Sequence, residues 1–439
     1  MPSADRAHAD KRLVRGIGAW ALAAFAVNAM IGAGIFGLPA RIHALVGNYS
    51  VLVILVCGAL IAMIALCFAE VGSRFERTGG PQLYASVAFG ALPGFTVGWL
   101  MWISRIASIS AVSNLLVDYG TVLSLYLSGP LARALIISAI VLAYTLINIR
   151  GIRQAATVST AITVSKLIPL IAFAGIGLYF LDPQALHLGS VPSTSDMATA
   201  ILLATFAFLG FDATTVVAGE VRDARRSVPF AVVLSVGTVA ILYALIQLVC
   251  VATLPDLAGS ERPLADAAAM FVGAWGALAI SVGAIISCLG MIGVTFTTAT
   301  RTLFAMSDQG QLPPALARVH RRFRTPHYSI VLTSVAVLLL ALSGTFIYLV
   351  KLTLISRILV YAVTCAALPV LRQRHDVPEP TFRVPAGQVL AYLSAALCVL
   401  FLAKSSMREL LDVAIAVATG LIIFAVTRST QRRLVAPGT

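Results

Sequence analysis

Charged residues are scarce in this sequence. They make up 11% of the 439 residues, whereas hydrophobic residues make up 59%. A soluble domain of this length carries roughly a quarter of its residues as charged side chains, most of them on its surface. The composition therefore excludes an ordinary soluble enzyme and indicates that lipid surrounds most of the chain.

Residues that commonly bind metals or cofactors are also few and scattered. The 6 histidines are assigned to tails or loops, and the 6 cysteines lie in apolar stretches without paired spacing. We interpret the cysteines as small buried hydrophobic residues, and we expect no histidine cluster inside the membrane to ligate haem or a metal. The sequence thus predicts no cofactor. A membrane enzyme is not expected either, because it would need a nucleophile with its base, or a metal, within the bilayer.

Apolar stretches long enough to cross a bilayer follow one another along nearly the whole chain. A membrane span needs about 20 mainly apolar residues, and by this criterion the sequence predicts twelve spans. The third and eighth are longer than one crossing, which indicates tilt or an attached turn. The predicted spans are 17–39, 47–71, 94–127, 131–149, 156–181, 197–219, 229–254, 273–305, 328–348, 350–371, 387–403 and 409–427.

Basic residues are concentrated in alternate loops of this twelve-span arrangement. By the positive-inside rule the arginine-rich side is cytoplasmic, so both termini are predicted to be cytoplasmic. The net charge of +13 does not indicate a nucleic-acid partner, because the basic residues form no single exposed stripe. The preference for Arg over Lys in the loops favours a bacterial inner membrane. The opposite side carries only Arg41, Arg133, Arg262, Lys351, Lys404 and Arg408.

Two predicted spans contain residues that weaken a helix near the middle of the membrane. The first contains Gly32 and Gly34, and the sixth contains Gly210 close to Asp212. Glycine is a poor helix former, and broken backbone is tolerated in a bilayer only where it lines a cavity or binds something. Glycine alone could simply permit close helix packing. The paired positions, five spans apart, instead indicate an inverted repeat with a binding site at two interrupted helices.

The sequence around these glycines resembles the amino acid-polyamine-organocation superfamily. The resemblance rests on residues 32–36 and 206–212, and on the segments 218–220, 225–229 and 301–313. It implies an all-α membrane protein of the LeuT type, with ten core helices in two inverted five-helix repeats, two peripheral helices, and discontinuous helices 1 and 6. The implied substrate site lies between helices one, three, six, eight and ten.

The resemblance also implies how the chain is divided. The segments are a cytoplasmic tail (1–16), a first repeat (17–181), a second repeat (197–371), two peripheral helices (387–427) and a second cytoplasmic tail (428–439).

Two interrupted helices imply partners for both charged groups of a free amino acid. Amides near Ala33 and Gly34 are expected to face the carboxylate, although Ala33 stands where many relatives have a serine hydroxyl. Carbonyls of residues 30, 31, 206 and 209 are expected to accept from the ammonium, and Phe206 stands where the family commonly places an aromatic gate. The implied substrate-binding residues are Met30, Ile31, Gly32, Ala33, Gly34, Phe206, Leu209 and Gly210.

Lys166 lies about eleven residues into its span, roughly 16 Å at 1.5 Å per residue, which is too deep for easy snorkelling. In related proton-coupled permeases and sodium-independent exchangers, a fifth-helix lysine stands where sodium-coupled members bind a cation, and Ser287 is a possible neighbour. We therefore expect no sodium requirement. Asp212 either carries a proton during transport or bonds the amides freed by the break. Arg105 and Arg357 are deep enough to need partners.

These observations predict a secondary amino acid transporter that works by alternating access, with protons as the coupling ion and small or neutral L-amino acids as the leading substrate. Its partners would be substrate, protons and membrane lipid, with no nucleic acid and no obligate protein partner evident. The alternatives are an amino acid exchanger, an amine or polyamine permease of the same fold, and a transporter-like membrane sensor. Which amino acid is carried stays open, because pocket shape decides it.

Overall fold

The computed structural model describes residues 16–120, 129–150, 155–323, 325–403 and 406–435. Throughout these ranges the chain forms helices joined by loops, and the β pairing described in them is a single bridge between Ile17 and Val221. In chain order the helices are α1 (Ala19–Met30), α2 (Ala33–Gly37), α3 (Pro39–Val46), α4 (Ser50–Gly72), α5 (Pro81–Phe89), α6 (Ala91–Gly120), α7 (Pro130–Arg150), α8 (Ala155–Tyr179), α9 (Thr194–Ala207), α10 (Ala213–Val216), α11 (Ala224–Thr253), α12 (Pro263–Val272), α13 (Ala274–Asp308), α14 (His327–Ser343), α15 (Phe346–Arg372), α16 (Gly387–Ala403) and α17 (Met407–Val435).

Eight helical segments in the described ranges are long and apolar enough to cross a membrane. The remaining apolar helices are shorter. Each of the twelve predicted spans overlaps a long or a short segment, but the twelve-span arrangement itself stays a prediction. The eight segments are Ala19–Gly37, Pro39–Gly72, Ala91–Val117, Pro130–Arg150, Ala224–Thr253, Ala274–Asp308, Phe346–Arg372 and Met407–Arg428.

Three short helices fall where the sequence predicts loops or parts of longer spans. Both α5 and α12 begin with a proline, which is favoured in the first turn because its missing N–H would have no helical acceptor there. The third, α3, contains His43. The assignment of every histidine to a tail or loop is therefore wrong for His43.

The helices differ in how far they are buried. The apolar window of α6 is 94% buried, whereas those of α7 and α17 are 11% and 22% buried. α6 packs against α13, α14 and α15, and α11 packs against α1, α4 and α8. A helix that is apolar on all sides and enclosed by others belongs to the interior. The interrupted segments α1–α2 and α9–α10 lie within this interior, while α7 and α17 present apolar surface outward.

Candidate functional site

The first helix is interrupted between α1 and α2. Ile31 and Gly32 separate the two helices, and Gly32 has an extended backbone with φ −138° and ψ −142°. A Cβ added to Gly32 would lie 1.9 Å from the Sδ of Met291 on α13. A side chain at residue 32 would therefore displace the flexible end of Met291, which packs directly against the break.

The second interruption separates α9 from α10, and Gly210 lies at its centre. Gly210 has φ +125°, a conformation that residues with a Cβ rarely adopt. A Cβ at this position would also lie 2.5 Å from the carbonyl oxygen of Ala29 on α1. Both backbone conformation and space thus demand glycine at the break that the sequence predicts.

The two interruptions are in direct contact with each other. A Cβ on Gly34 would lie 2.5 Å from the Cα of Ala207, while Gly210 lies against Ala29. As residue numbers rise along one segment they fall along the other, so the segments cross in antiparallel fashion. An inverted repeat would produce this crossing. Backbone groups from the two breaks consequently lie next to each other.

Lys166 reaches the first interruption from α8. Its Nζ donates to the carbonyl oxygen of Asn28 at 2.7 Å and to that of Ile31. Ser287 on α13 donates to the same Ile31 oxygen at 3.1 Å. The side chains of Lys166 and Ser287 are fully buried. Because α1 ends at Met30, the carbonyls of its last turn lack helical donors, and these side chains supply them.

Tyr243 is a further contributor that the sequence does not single out. Its hydroxyl donates to the carbonyl oxygen of Met30 at 3.1 Å, and its side chain is fully buried in α11. Side chains from three helices therefore satisfy the carbonyls at residues 28, 30 and 31. A tyrosine in an apolar helix ordinarily indicates packing, so only its partner reveals this role.

Asp212 lies in a buried ion pair directly after the second interruption. Arg357 on α15 donates through Nη1 to Oδ2 at 2.6 Å, and the Tyr361 hydroxyl donates to Oδ1 at 3.0 Å. Arg357 also donates through Nε to the Ser104 hydroxyl at 3.0 Å. Both carboxylate oxygens are thus engaged by side chains of α15, one helical turn apart.

Arg105 on α6 is the second arginine beside this carboxylate. Its Nη2 lies 3.9 Å from Oδ2 of Asp212, which is an ion pair beyond hydrogen-bonding distance. Its Nη1 donates to the carbonyl oxygen of Thr298 at 3.3 Å and to the hydroxyl of Thr302. Arg105 and Arg357, the two arginines predicted to need partners within the membrane, therefore both pair with Asp212. Asp118, the acidic residue of the predicted third span, also lies on α6, but its side chain lies outside the described residues.

The predicted ion-coupling residues fall into two groups. Lys166 and Ser287 meet at the first break, whereas Asp212 is paired with Arg357, and no contact joins Asp212 to Lys166 in the described parts of the chain. Of the predicted ammonium acceptors, the Ile31 carbonyl already accepts from two side chains.

The remaining predicted substrate residues lie at the second break and at the start of α2. Phe206 and Leu209 are buried, and the Phe206 carbonyl accepts from the Leu209 amide at 3.3 Å. At the start of α2, no described side chain caps the amides around Ala33 and Gly34.

A separate ion pair joins α4 to α15 away from the breaks. Arg372 donates to Glu70 through Nε and Nη2, each at 2.7 Å, and the Val384 amide donates to the same carboxylate at 2.8 Å. The Glu70 side chain is fully buried. This fork geometry is specific and well satisfied, and it anchors the α15–α16 connection. A cavity of about 380 Å³ between α6, α14, α15 and α17 does not touch the breaks either.

Comparison with known proteins supplies the family. The family model described as "Amino acid permease" matches residues 17–427. The chain belongs to the amino acid permease family. This confirms the resemblance to the amino acid-polyamine-organocation superfamily. Together with the long apolar helices, it identifies the permease as an integral membrane protein.

Three bacterial relatives cover nearly all of the permease. The methylthioribose transporter of Bacillus subtilis is 26% identical over 434 residues, with 94% of each chain covered. The branched-chain amino acid permease BcaP of the same species is 24% identical over 440 residues, covering 94% of this chain and 93% of its own. The serine/threonine exchanger SteT, also from Bacillus subtilis, is 27% identical over 424 residues, covering 94% and 96%.

Proposed function

We propose that this permease is a sodium-independent, proton-coupled secondary transporter of small or neutral amino acids, working by alternating access between two inverted repeats. The observation that carries the proposal is the Lys166 ammonium on the carbonyls of the interrupted first helix. A charged side chain inside a membrane is costly, and such residues by default mark substrate or ion pathways.

The oxygens around Lys166 are those that a hard cation would use. The carbonyls of Asn28 and Ile31 accept from Nζ, and the Ser287 hydroxyl contacts the same Ile31 oxygen. Carbonyl and hydroxyl oxygens are typical ligands of alkali and alkaline-earth ions. A buried ammonium in their midst takes the place of a bound sodium ion, which supports transport without sodium.

The same contacts support proton coupling. Nζ bridges residue 28, in the last turn of α1, and residue 31, in the break itself. Loss of its proton would leave Nζ neutral with two N–H donors, so the hydrogen bonds to both carbonyls would persist only in a weaker form without charge assistance. The protonation of Lys166 and the geometry of the first break are therefore linked, as a proton-driven transporter requires.

The surroundings of the breaks favour a small, uncharged substrate side chain. Ile31, Phe206 and Leu209 are buried apolar residues, and Gly34 lies against Ala207 without space for a Cβ. Backbone amides at the start of α2 would receive the carboxylate. An amine or polyamine substrate is disfavoured, because the acidic candidate Asp212 is already paired with Arg357.

Amino acid exchange is the second candidate. It is supported by the similarity to the serine/threonine exchanger SteT over 94% of this chain. The two candidates predict different requirements, because a symporter needs a proton gradient whereas an exchanger needs amino acid on the opposite side.

The test is uptake of a radiolabelled amino acid mixture into sodium-free liposomes, with and without an inward proton gradient. Wild type and Lys166→Ala are compared with Lys351→Ala, a control whose lysine pairs with Glu409 near the start of α15. We expect gradient-stimulated uptake in wild type and control, and its loss in Lys166→Ala.

Uptake that requires amino acid preloaded inside the liposomes would show that the permease is an exchanger and not a proton symporter. Uptake that requires sodium, or equal gradient stimulation in all three proteins, would refute the role of Lys166. A wild type that transports no amino acid would overturn the proposed function.

A further inference from the structure

The group around Asp212 contains more positive than negative charge. Two guanidiniums, those of Arg105 and Arg357, face one carboxylate, and Asp212 is the acidic side chain with which either arginine pairs in the described ranges. All three side chains are at least 94% buried. A buried charge without a full counter-charge is strongly disfavoured, so this group lacks one negative charge.

Arg357 uses the carboxylate more fully than Arg105 does. Arg357 and Tyr361 engage the two carboxylate oxygens at 2.6 and 3.0 Å. The Nη2 of Arg105 is 3.9 Å away and is buried without a hydrogen-bond partner in the described part of the chain. A guanidinium has five N–H donors, and leaving a charged donor unsatisfied in a buried position costs more than an ordinary hydrogen bond contributes.

The excess charge lies on helices that the resemblance places around the substrate. Arg105 lies on α6 and contacts α13 through Thr298 and Thr302, while Asp212 directly follows the second interruption. α6, α13 and the segment around Asp212 correspond to predicted spans three, eight and six, which the resemblance places around the substrate.

We propose that Arg105 is an anion-binding residue, whose guanidinium takes a small monovalent anion, either the carboxylate of the transported amino acid or free chloride. The anion supplies the missing negative charge and accepts from Nη2. Guanidinium is well suited to this, because its planar fork can donate two parallel hydrogen bonds to a carboxylate and it is weakly hydrated. The amides at the start of α2 form no hydrogen bond with Arg105 or Asp212 in the described residues, so the amino acid alternative places the substrate carboxylate at Arg105 instead of at those amides. Only the amino acid alternative rests on the proposed function.

The test is thermal unfolding of detergent-purified protein, followed with a thiol-reactive dye, since the cysteines are free and buried. Ligands that bind only the folded state raise the midpoint. Choline chloride is titrated against choline gluconate. In chloride-free buffer, an amino acid mixture is compared with the corresponding decarboxylated amines. The proteins are wild type, Arg105→Gln, Arg105→Lys and the control Arg226→Gln, whose side chain is 83% exposed.

We expect the half-protecting concentration of the anion to rise at least tenfold in Arg105→Gln and to stay unchanged in Arg226→Gln. Chloride protection lost in Arg105→Gln identifies a free anion. Protection by amino acids but not by amines, weakened in Arg105→Gln without any chloride effect, identifies the substrate carboxylate.

Wild type that neither chloride nor amino acids protect would overturn the inference, as would equal protection of Arg105→Gln and wild type. If Arg105→Gln does not fold, Arg105→Lys replaces it. Its point charge lacks the fork, so unchanged affinity in that variant would also overturn the inference. Failure of the proposed function appears separately, as absence of liposome uptake while chloride protection persists.

Discussion

Substituting Gly210 by alanine should damage this permease more than any ordinary glycine substitution in a helix. Gly210 has φ +125°, and the added Cβ would lie 2.5 Å from the carbonyl oxygen and 2.7 Å from the carbonyl carbon of Ala29. Neither atom is the flexible end of a side chain. Relief therefore requires that the two interrupted helices move apart.

Alanine substitutions at two other glycines separate the backbone strain at Gly210 from the overpacking there. Backbone strain at a non-glycine residue with such a φ costs about 1–3 kcal/mol, and overpacking costs about 1–3 kcal/mol more. Gly34→Ala meets only overpacking, against the backbone of Ala207 at 2.5 Å. Gly237→Ala in α11 meets nothing within 4 Å, and alanine there should stabilise the helix by about 1 kcal/mol. From most to least stable, the predicted order is Gly237→Ala, wild type, Gly34→Ala and Gly210→Ala.

Thermal unfolding in detergent and initial uptake rates in liposomes measure this order. Gly210→Ala should unfold at the lowest temperature and transport most slowly, and Gly237→Ala should transport like wild type. Equal midpoints and rates for Gly210→Ala and Gly237→Ala would refute the reasoning, because they would show that the breaks do not need the close contact seen here.

Two further predictions concern the buried ion pairs. Asp212→Asn leaves Arg357 and Arg105 without their carboxylate and should lower the free energy of unfolding by about 3–5 kcal/mol. Adding Arg357→Gln to this variant restores the original net charge of the group and should recover part of the lost unfolding temperature. Losses of the two substitutions that simply add would contradict this prediction. Glu70→Gln weakens the two-pronged hydrogen bonding with Arg372 and should lower the free energy of unfolding by a similar amount. The KM of the remaining uptake should stay unchanged. An altered KM would show that Glu70 contributes to substrate binding.

The positions of the long helices could be predicted because span length and hydropathy are local properties of the sequence. Each predicted span overlaps an apolar helix of the structure. The short helices α5 and α12 were not predicted, since nine and ten residues are too few for a window of about 20. The breaks were located correctly because glycine in the middle of an apolar run is itself a signal, and the close approach at Gly210 gives its physical reason.

The partners within the site could not be predicted in the same way. Depth in a span indicates that Lys166, Arg105 and Arg357 need partners, but not which ones. That Arg357 meets Asp212 depends on the relative height of two helices separated by more than a hundred residues. The roles of Tyr243 and Tyr361 cannot be predicted from the sequence, because composition does not distinguish a packing tyrosine from one whose hydroxyl satisfies a buried acceptor.

The contrast between Lys166 and Asp212 bears on which of them carries the proton in the proposed mechanism. Asp212 is held by the opposite charge of Arg357 and by the Tyr361 hydroxyl, so removing its negative charge would break an ion pair. Lys166 is held by neutral carbonyl oxygens, with no acidic partner among the residues that the structure describes. A proton leaving Nζ breaks no ion pair, and it directly alters the carbonyls at the first break. Lys166 is therefore the better proton carrier, and Asp212 the better anchor for the second break.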